Sequence, residues 1–176
     1  MSPADVQRLQ LAIRDVPDFP KQGILFKDIT PILGDGGLFR VAVDGYVAAA
    51  RAAGAEKIVG IDARGFIFGA AAAYEMGLGF VPVRKKGKLP YRCESAAYSL
   101  EYGEAVVEMH IDAVKPGERV VLMDDLLATG GTAGAAVKLI EQIGGRVVSA
   151  VFLIELGFLN GRKALGSTPV TALLTY

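Results

Sequence analysis

Residues 119–132 constrain the fold of this chain more than any other stretch. An apolar run at residues 120–123 predicts a strand buried on both faces of a parallel sheet. Two acidic residues and a small turn follow it, before a helical pattern at residues 133–143. In that order, backbone N–H groups of the turn and the positive end of the helix dipole converge on one anion. The pattern therefore predicts a phosphate-binding turn, formed by Ala128, Thr129, Gly130, Gly131 and Thr132.

The acidic pair, Asp124 and Asp125, indicates what kind of phosphate compound would bind. Open α/β sheets bind ligands at the carboxyl ends of their strands, and two carboxylates there can accept hydrogen bonds from the vicinal hydroxyls of a ribose. Other phosphate motifs do not fit, because no lysine follows Gly131 and because Thr129 stands where a dinucleotide fingerprint needs glycine. The alternative is a glycine-rich turn beside a solvated acidic pair.

Residues 120–132 resemble the 5-phosphoribosyl-1-pyrophosphate (PRPP) motif of type I phosphoribosyltransferases, and the chain from about Asp15 onward resembles the adenine phosphoribosyltransferases among them. The resemblance implies purine salvage, in which adenine and PRPP give AMP and pyrophosphate through an oxocarbenium-like transition state. It also implies a homodimer and a Mg²⁺ ion held mainly through PRPP, with no direct protein ligand. Asp124 and Asp125 would hold the ribose, with Asp125 catalytic, and the turn would bind the 5-phosphate.

A second polar turn follows the predicted strand at residues 58–61. Arg64 lies in it, beside a glycine that lets the backbone approach a ligand, and a helix begins at once. The family resemblance implies that this turn holds pyrophosphate, with a cis peptide bond between Asp62 and Ala63.

A cationic segment follows the predicted strand at residues 80–83. It has four cations in the five residues 84–88, bracketed by Gly87 and Pro90, which predicts a mobile loop. Such a run is ordinarily a solvated face, but cations at this sheet edge could also cover a leaving pyrophosphate. The resemblance implies that the pyrophosphate contacts are made by Arg84, Lys85 and Lys88.

Residues 17–31 contain three prolines, which exclude a long regular element. Phe26 could stack on a purine, although from the sequence alone a buried core position is the simpler interpretation. The resemblance implies an adenine-covering segment, termed the hood here (about residues 1–35), in which adenine contacts Leu25, Phe26 and Lys27. It further implies that Glu101 is catalytic and moves a proton of the purine; otherwise Glu101 is an ordinary strand glutamate.

The remaining pattern predicts an α/β fold within one domain, residues 1–176, whose core begins near residue 36. Buried strands near residues 58, 81, 121, 150 and 172 alternate with helical segments, which indicates a mostly parallel five-stranded sheet with helices on both faces. Residues 98–111 predict a flexible β-hairpin that turns at Gly103 and Glu104. Residues 65–83 are apolar enough to suggest a membrane span, but their glycines predict a helix followed by a strand.

Composition excludes several classes of function. A formal net charge of +0 and a pI near 6.6 argue against a nucleic-acid or membrane-surface partner. Cys93 is the single cysteine, and the N-terminus has no signal peptide pattern, so a cytoplasmic protein is expected. Two alternatives remain open: a related enzyme that uses a 6-oxopurine, and a non-enzymatic PRPP or nucleotide sensor.

Overall fold

The computed structural model describes residues 1–99 and 104–176, and the chain divides into two compact units, Met1–Gly45 and Tyr46–Tyr176. The first unit contains α1 (Pro3–Ala12), β1 (Arg14–Pro17), β2 (Leu25–Asp28) and α2 (Thr30–Gly34), and the boundary falls within α3 (Gly36–Ala52). Strands β1 and β2 pair antiparallel. A capping box between Ser2 and Asp5 begins α1, because each residue bonds the backbone N–H of the other.

The second unit is built around one seven-stranded sheet. Its elements are β3 (Lys57–Ile61), α4 (Arg64–Met76), β4 (Gly79–Lys85), β5 (Cys93–Ser99), β6 (Glu104–His110), β7 (Arg119–Leu127), α5 (Gly131–Gln142), β8 (Arg146–Glu155) and β9 (Val170–Thr175). Two short 3-10 helices, Gly157–Leu159 and Gly161–Leu165, connect β8 to β9. The strand order is β5-β6-β4-β3-β7-β8-β9.

The predicted five-stranded sheet is therefore wrong in its strand number. The five predicted strands correspond to β3, β4, β7, β8 and β9, which pair parallel to one another. The two further strands, β5 and β6, pair antiparallel with each other. Strand β6 lies within the predicted hairpin at residues 98–111, but β5 begins at Cys93, five residues before it, and the predicted turn residue Gly103 lies outside the described residues. Strand β6 also pairs antiparallel with the last two residues of β4. The hairpin thus extends the edge of the sheet instead of standing apart from it.

Helices cover both faces of this sheet, as predicted. Val120 and Leu122 belong to the apolar cluster that contains the buried side of α5. Val121 and Met123 are equally buried on the opposite face, because side chains alternate along a strand, and α4 packs against β3 and β7. Burial on both faces explains the uninterrupted apolar run in β7.

The apolar stretch at residues 65–83 forms a helix and a strand, as predicted. Helix α4 ends at Gly77, whose left-handed conformation (φ 66°) terminates it before β4. Within residues 1–99 and 104–176, no helix combines the length and the hydropathy needed to cross a membrane.

Candidate active site

A cavity of about 300 Å³ lies at the carboxyl ends of β3, β4 and β7. This is the edge at which parallel α/β sheets bind ligands. Four stretches of the chain supply its polar lining, namely Asp62, Arg64, Lys85, Tyr98, Asp124, Asp125 and Thr132. The structure therefore brings both predicted anion-binding turns, the acidic pair and one residue of the cationic segment to one place.

The predicted phosphate turn lines a second cavity of about 90 Å³, which shares Asp124 and Thr132 with the first. Helix α5 begins at Gly131, so the turn consists of a bend at residues 128–130 and the first residues of the helix. The first N–H groups of a helix have no partners within the helix. This small cavity consequently offers the donors and the positive dipole end that an anion requires.

Close contact with the 3-10 helix Gly161–Leu165 fixes the shape of this turn. Gly130 has a left-handed backbone (φ 84°), and a Cβ there would overlap the carbonyl oxygen of Gly161 and lie 2.8 Å from Cβ of Ala164. A Cβ on Gly161 would in turn overlap the carbonyl of Ala128. The 3-10 helix is thus the back wall of the phosphate turn, and only glycine fits at the two closest points.

Arg162 anchors this back wall to the sheet. Its Nε and Nη2 donate to the Glu155 carboxylate at 2.7 and 2.6 Å, and its Nη1 donates to the carbonyl of Val170 at 3.0 Å. Glu155 is buried, and these hydrogen bonds lower the pKa of its carboxyl. A bidentate, charge-assisted pair therefore holds the wall in place.

Asp124 and Asp125 lie within β7, which continues to Leu127, and not after its end as predicted. Strand β3 pairs with β7 only as far as Met123, whereas β8 pairs with it as far as Leu127. The acidic pair consequently lies beyond the end of β3, where one side of β7 is open to the cavity.

The two carboxylates of the pair have unequal surroundings. Asp125 is 5% exposed and accepts a hydrogen bond from Nε of Arg64. Removal from water and repulsion by the Asp125 carboxylate raise the pKa of Asp124 well above its ordinary value. The backbone N–H of Asp125, which donates to the Asp124 carboxylate at 2.9 Å, lowers this pKa and so opposes the rise. Asp125 is thus charge-paired with Arg64, whereas the surroundings of Asp124 disfavour its charged form relative to a carboxyl in water.

Two further residues position the acidic pair, Tyr46 from the core and Gly65, the glycine beside Arg64. The hydroxyl of Tyr46 donates to the backbone carbonyl of Asp124 at 2.7 Å, and its buried ring stacks on Phe68. A Cβ on Gly65 would lie 2.7 Å from the Met123 carbonyl oxygen and 2.8 Å from Oδ1 of Asp124. The start of α4 can therefore approach β7 this closely only with glycine at that position.

The cationic segment has more regular secondary structure than the predicted loop. Arg84 and Lys85 belong to β4, and the turn after them closes with a hydrogen bond from Lys88 N–H to the Lys85 carbonyl at 3.2 Å. Arg84 donates to Asp62 at 2.9 Å and to the Lys88 carbonyl at 3.0 Å. Arg84 therefore ties its own turn to the Asp62 turn, where the peptide bond between Asp62 and Ala63 is cis as expected.

The oxygen ligands at this site suit Mg²⁺ that is shared with a substrate. In the described part of the chain, no three His, Cys, Asp or Glu side chains cluster closely enough to hold a metal ion. Mg²⁺ commonly takes one or two carboxylates and completes its shell with water and substrate phosphates. Asp124 and Asp62 present carboxylates to the cavity, which fits such a shared ion.

Comparison with known proteins identifies the family. Residues 50–164, more than half of the chain, match the phosphoribosyl transferase domain. The chain is 60% identical over 157 residues to an adenine phosphoribosyltransferase of Neorhizobium galegae. The matched residues cover 89% of this chain and 87% of that relative. The chain belongs to the adenine phosphoribosyltransferase family. It is accordingly a pentosyltransferase, and the resemblance seen in residues 120–132 is confirmed.

Solved structures of adenine phosphoribosyltransferases share the whole fold. The enzyme from Rhodothermus marinus DSM 4252 has a TM-score of 0.94 and 50% identity, covering 99% of this chain and 100% of the other. The Saccharomyces cerevisiae enzyme, complexed with D-2,5-dideoxy-2,5-imino-altritol 1,6-bisphosphate and adenine, has a TM-score of 0.94 and 42% identity, covering 98% and 100%. The predicted α/β fold is confirmed at this level.

The predicted adenine-binding residues lie in the first unit, and the predicted catalytic Glu101 lies outside the described residues. Leu25, Phe26 and Lys27 are consecutive on β2. Leu25 is exposed, and the Phe26 ring contacts Phe19 edge-on. Nζ of Lys27 donates to Asp15 at 2.6 Å. Glu101 is among residues 100–103, outside the described part.

Asp62 and Tyr98 also line the larger cavity. Sequence reasoning did not select either of them as a binding residue. Asp62 could have been found, since it begins the same polar turn as Arg64. Tyr98 gave no such signal, because its strand joins the sheet edge only through the pairing of β6 with the end of β4, which is long-range.

Proposed function

We propose that this chain transfers the 5-phosphoribosyl group of PRPP to adenine, releasing pyrophosphate and forming AMP for purine salvage. One observation carries the proposal: two cavities share Asp124 and Thr132, one lined by a phosphate turn and the other by an acidic pair and cations. PRPP has phosphates at both ends of a ribose diol, which matches the order phosphate turn, acidic pair and cations along the two cavities. The S. cerevisiae relative complexed with adenine supports the choice of base.

In this proposal the chain fixes the sugar at both ends. The N–H groups at the start of α5, together with Ala128, Gly130, Gly131 and the hydroxyls of Thr129 and Thr132, bind the 5-phosphate. Asp124 and Asp125 accept hydrogen bonds from the ribose hydroxyls. Such positioning of reactants can contribute roughly 7 to 11 kcal/mol.

The cations act on the leaving group. The bond between the anomeric carbon and pyrophosphate breaks with both electrons leaving on pyrophosphate, so positive charge develops on the sugar and negative charge on the leaving oxygen. Arg64 and Lys85, which line the cavity, stabilise that negative charge, and Arg84 and Lys88 complete the cationic set. The Asp125 carboxylate lies on the sugar side and stabilises the oxocarbenium character.

The hood, about residues 1–35, supplies the base in this mechanism. Phe26 stacks on adenine, and main-chain groups of Leu25 and Lys27 distinguish an amino purine from a 6-oxopurine. The purine nitrogen attacks the anomeric carbon from the face opposite to pyrophosphate. Its proton passes to Glu101, which serves as the general base.

Three further properties belong to the proposal. A Mg²⁺ ion held mainly through PRPP, with no direct protein ligand, would supply charge neutralisation for the leaving pyrophosphate. A homodimer is supported by Ile67 and Tyr74, which lie two turns apart on one side of α4 and are 39% and 88% exposed. A cytoplasmic setting is consistent with the free Cys93.

A base panel tests the proposed function. The purified chain is incubated with PRPP, Mg²⁺ and adenine, hypoxanthine or guanine, and the nucleotide product is quantified. We expect AMP to form at least about 100-fold faster than either 6-oxopurine nucleotide, since mismatched buried polar groups are strongly rejected. Asp125→Ala, purified identically, controls for contaminating enzyme. Faster formation of IMP or GMP, or no nucleotide at all, contradicts the proposal.

A further inference from the structure

The second strand of the hairpin buries a carboxylate that the mechanism above does not use. Glu108 is 8% exposed and lies on β6 directly opposite Arg84 of β4 in the pairing register. Burying a carboxylate is unfavourable unless hydrogen bonds replace its water. The two hydrogen bonds that it accepts from described residues come from neutral donors, the N–H of Gly87 at 2.8 Å and the hydroxyl of Ser95 at 3.3 Å.

The Gly87 bond attaches the cationic turn to the hairpin. Strands β4 and β6 share only two register pairs, so few backbone bonds hold the end of β4 to the sheet edge. Past that ladder, Lys86 N–H donates to the Val106 carbonyl at 3.0 Å, and Gly87 N–H donates to Oε2 of Glu108. Gly87 has a left-handed backbone (φ 79°), which turns the chain so that its N–H faces β6.

We infer that Glu108 is a positioning residue for the pyrophosphate end of the substrate. This inference rests on the proposed function. It holds the turn at residues 85–88 from the hairpin side, while Asp62 holds the same turn through Arg84 from the other side. Lys85, which lines the larger cavity, begins this turn. A hydrogen bond to a charged acceptor is stronger than one between neutral groups, which lets this contact select one position of the turn.

The sign of the effect separates positioning from simple electrostatics. Glu108 is an anion beside an anion-binding turn, so removing its charge would strengthen pyrophosphate binding if charge alone mattered. Positioning predicts the reverse for Glu108→Ala, because the lysines of the turn lose their fixed placement. Glu108→Gln keeps an acceptor for Gly87 N–H, so positioning predicts that it binds pyrophosphate almost as wild type does.

Calorimetric titration with Mg-pyrophosphate and, separately, with AMP tests this inference without requiring turnover. For Glu108→Ala we expect the Kd for pyrophosphate to rise about 10-fold and the Kd for AMP to change less than about 2-fold. Glu108→Gln should stay within about 3-fold of wild type for both ligands. Ser95→Ala, which removes only the other hydrogen bond of this carboxylate, is the matched control and should also stay within about 2-fold.

Three results would overturn the inference. They are unchanged or tighter pyrophosphate binding by Glu108→Ala, an equal loss of AMP binding, and a Glu108→Gln variant as weak as Glu108→Ala. Exchange of the Gly87 amide proton provides an independent check and should quicken in Glu108→Ala only. Because the base panel measures turnover by the unmodified chain, failure there removes the proposed reaction, whereas failure here removes only the role of Glu108.

Discussion

The two proposed anion-binding regions of the sheet edge, for the 5-phosphate and for pyrophosphate, are built in different ways. The phosphate turn is one contiguous segment at the start of α5, held against a back wall in which Gly130 and Gly161 leave no room for a side chain. The pyrophosphate region combines three segments, joined by Arg84 bonds to Asp62 and Lys88 and by the Gly87 bond to Glu108. The first region therefore depends on steric fit and the second on individual polar contacts.

The Arg64–Asp125 contact connects the two regions, and breaking it should have the largest effect. Asp125→Asn preserves the shape of the side chain but removes the charge that Arg64 and the developing sugar cation require. We expect kcat/KM for PRPP to fall about 1,000-fold, measured by initial rates of AMP formation. Glu101→Gln, which removes one proton acceptor, should lose less, about 100-fold. Equal or reversed losses would contradict this ranking.

Steric fit of the phosphate turn is tested by Gly130→Ala. The added Cβ would overlap the Gly161 carbonyl, so the turn must shift, and displacements near 1 Å can reduce catalysis about 100-fold. We expect a loss of that size in kcat/KM for PRPP and weaker AMP binding, with pyrophosphate binding unchanged. Gly117→Ala is the matched control, because Gly117 also has a left-handed backbone (φ 75°) but open space around it. A similar loss in both variants would assign the effect to backbone conformation alone.

The back wall can be loosened without touching the turn itself. Arg162→Ala removes both hydrogen bonds to Glu155 and frees the 3-10 helix behind Gly130. We expect Kd for AMP and KM for PRPP to rise about 10-fold, while Kd for pyrophosphate changes less than about 2-fold. This is the mirror image of the Glu108→Ala pattern. Arg146→Ala, at another exposed arginine, is the control and should change none of these constants. A rise in the Kd for pyrophosphate in Arg162→Ala would show that the two regions are not separable.

The smallest expected effect concerns stability and pH. Because the pKa of Asp124 is raised above its ordinary value of 3.8, the folded state binds more protons than the unfolded state, and stability falls as pH rises through that window. Asp124→Asn should therefore increase the free energy of unfolding by roughly 1 kcal/mol at pH 8 and by less at pH 5.

Urea denaturation at pH 5 and pH 8 measures the free energy of unfolding of Asp124→Asn, and Glu155 provides the opposite case for the same experiment. Its pKa is lowered, so its contribution is present above the ordinary value of 4.5 and is lost as pH falls. Glu155→Gln should accordingly decrease the free energy of unfolding at pH 8, and the deficit should shrink at low pH. If Asp124→Asn were destabilising at pH 8, the assigned surroundings of the acidic pair would be incorrect.

Sequence reasoning succeeded where the determinants are local. The turn at residues 128–130 before a helix, and the five parallel strands, follow from contiguous patterns such as the apolar run at residues 120–123. The polar turn carrying Arg64 was recognised for the same reason. These features need few residues and little knowledge of what lies beside them.

Long-range pairing accounts for what sequence reasoning missed. The two extra strands depend on β6 pairing with only Arg84 and Lys85 of β4, which no local pattern records. Glu108 looks like any strand glutamate until Gly87 is placed beside it. Tyr46 is buried in the core, and the carbonyl that its hydroxyl contacts, that of Asp124, is 78 residues away in the chain.

A crystal structure of the chain with AMP tests the central claim most directly. The account predicts that the 5-phosphate lies in the small cavity, within about 3.1 Å of backbone nitrogens of residues 130–132, with both ribose hydroxyls facing Asp124 and Asp125. AMP bound at another position, with its phosphate away from that turn and its ribose away from the acidic pair, would contradict the account.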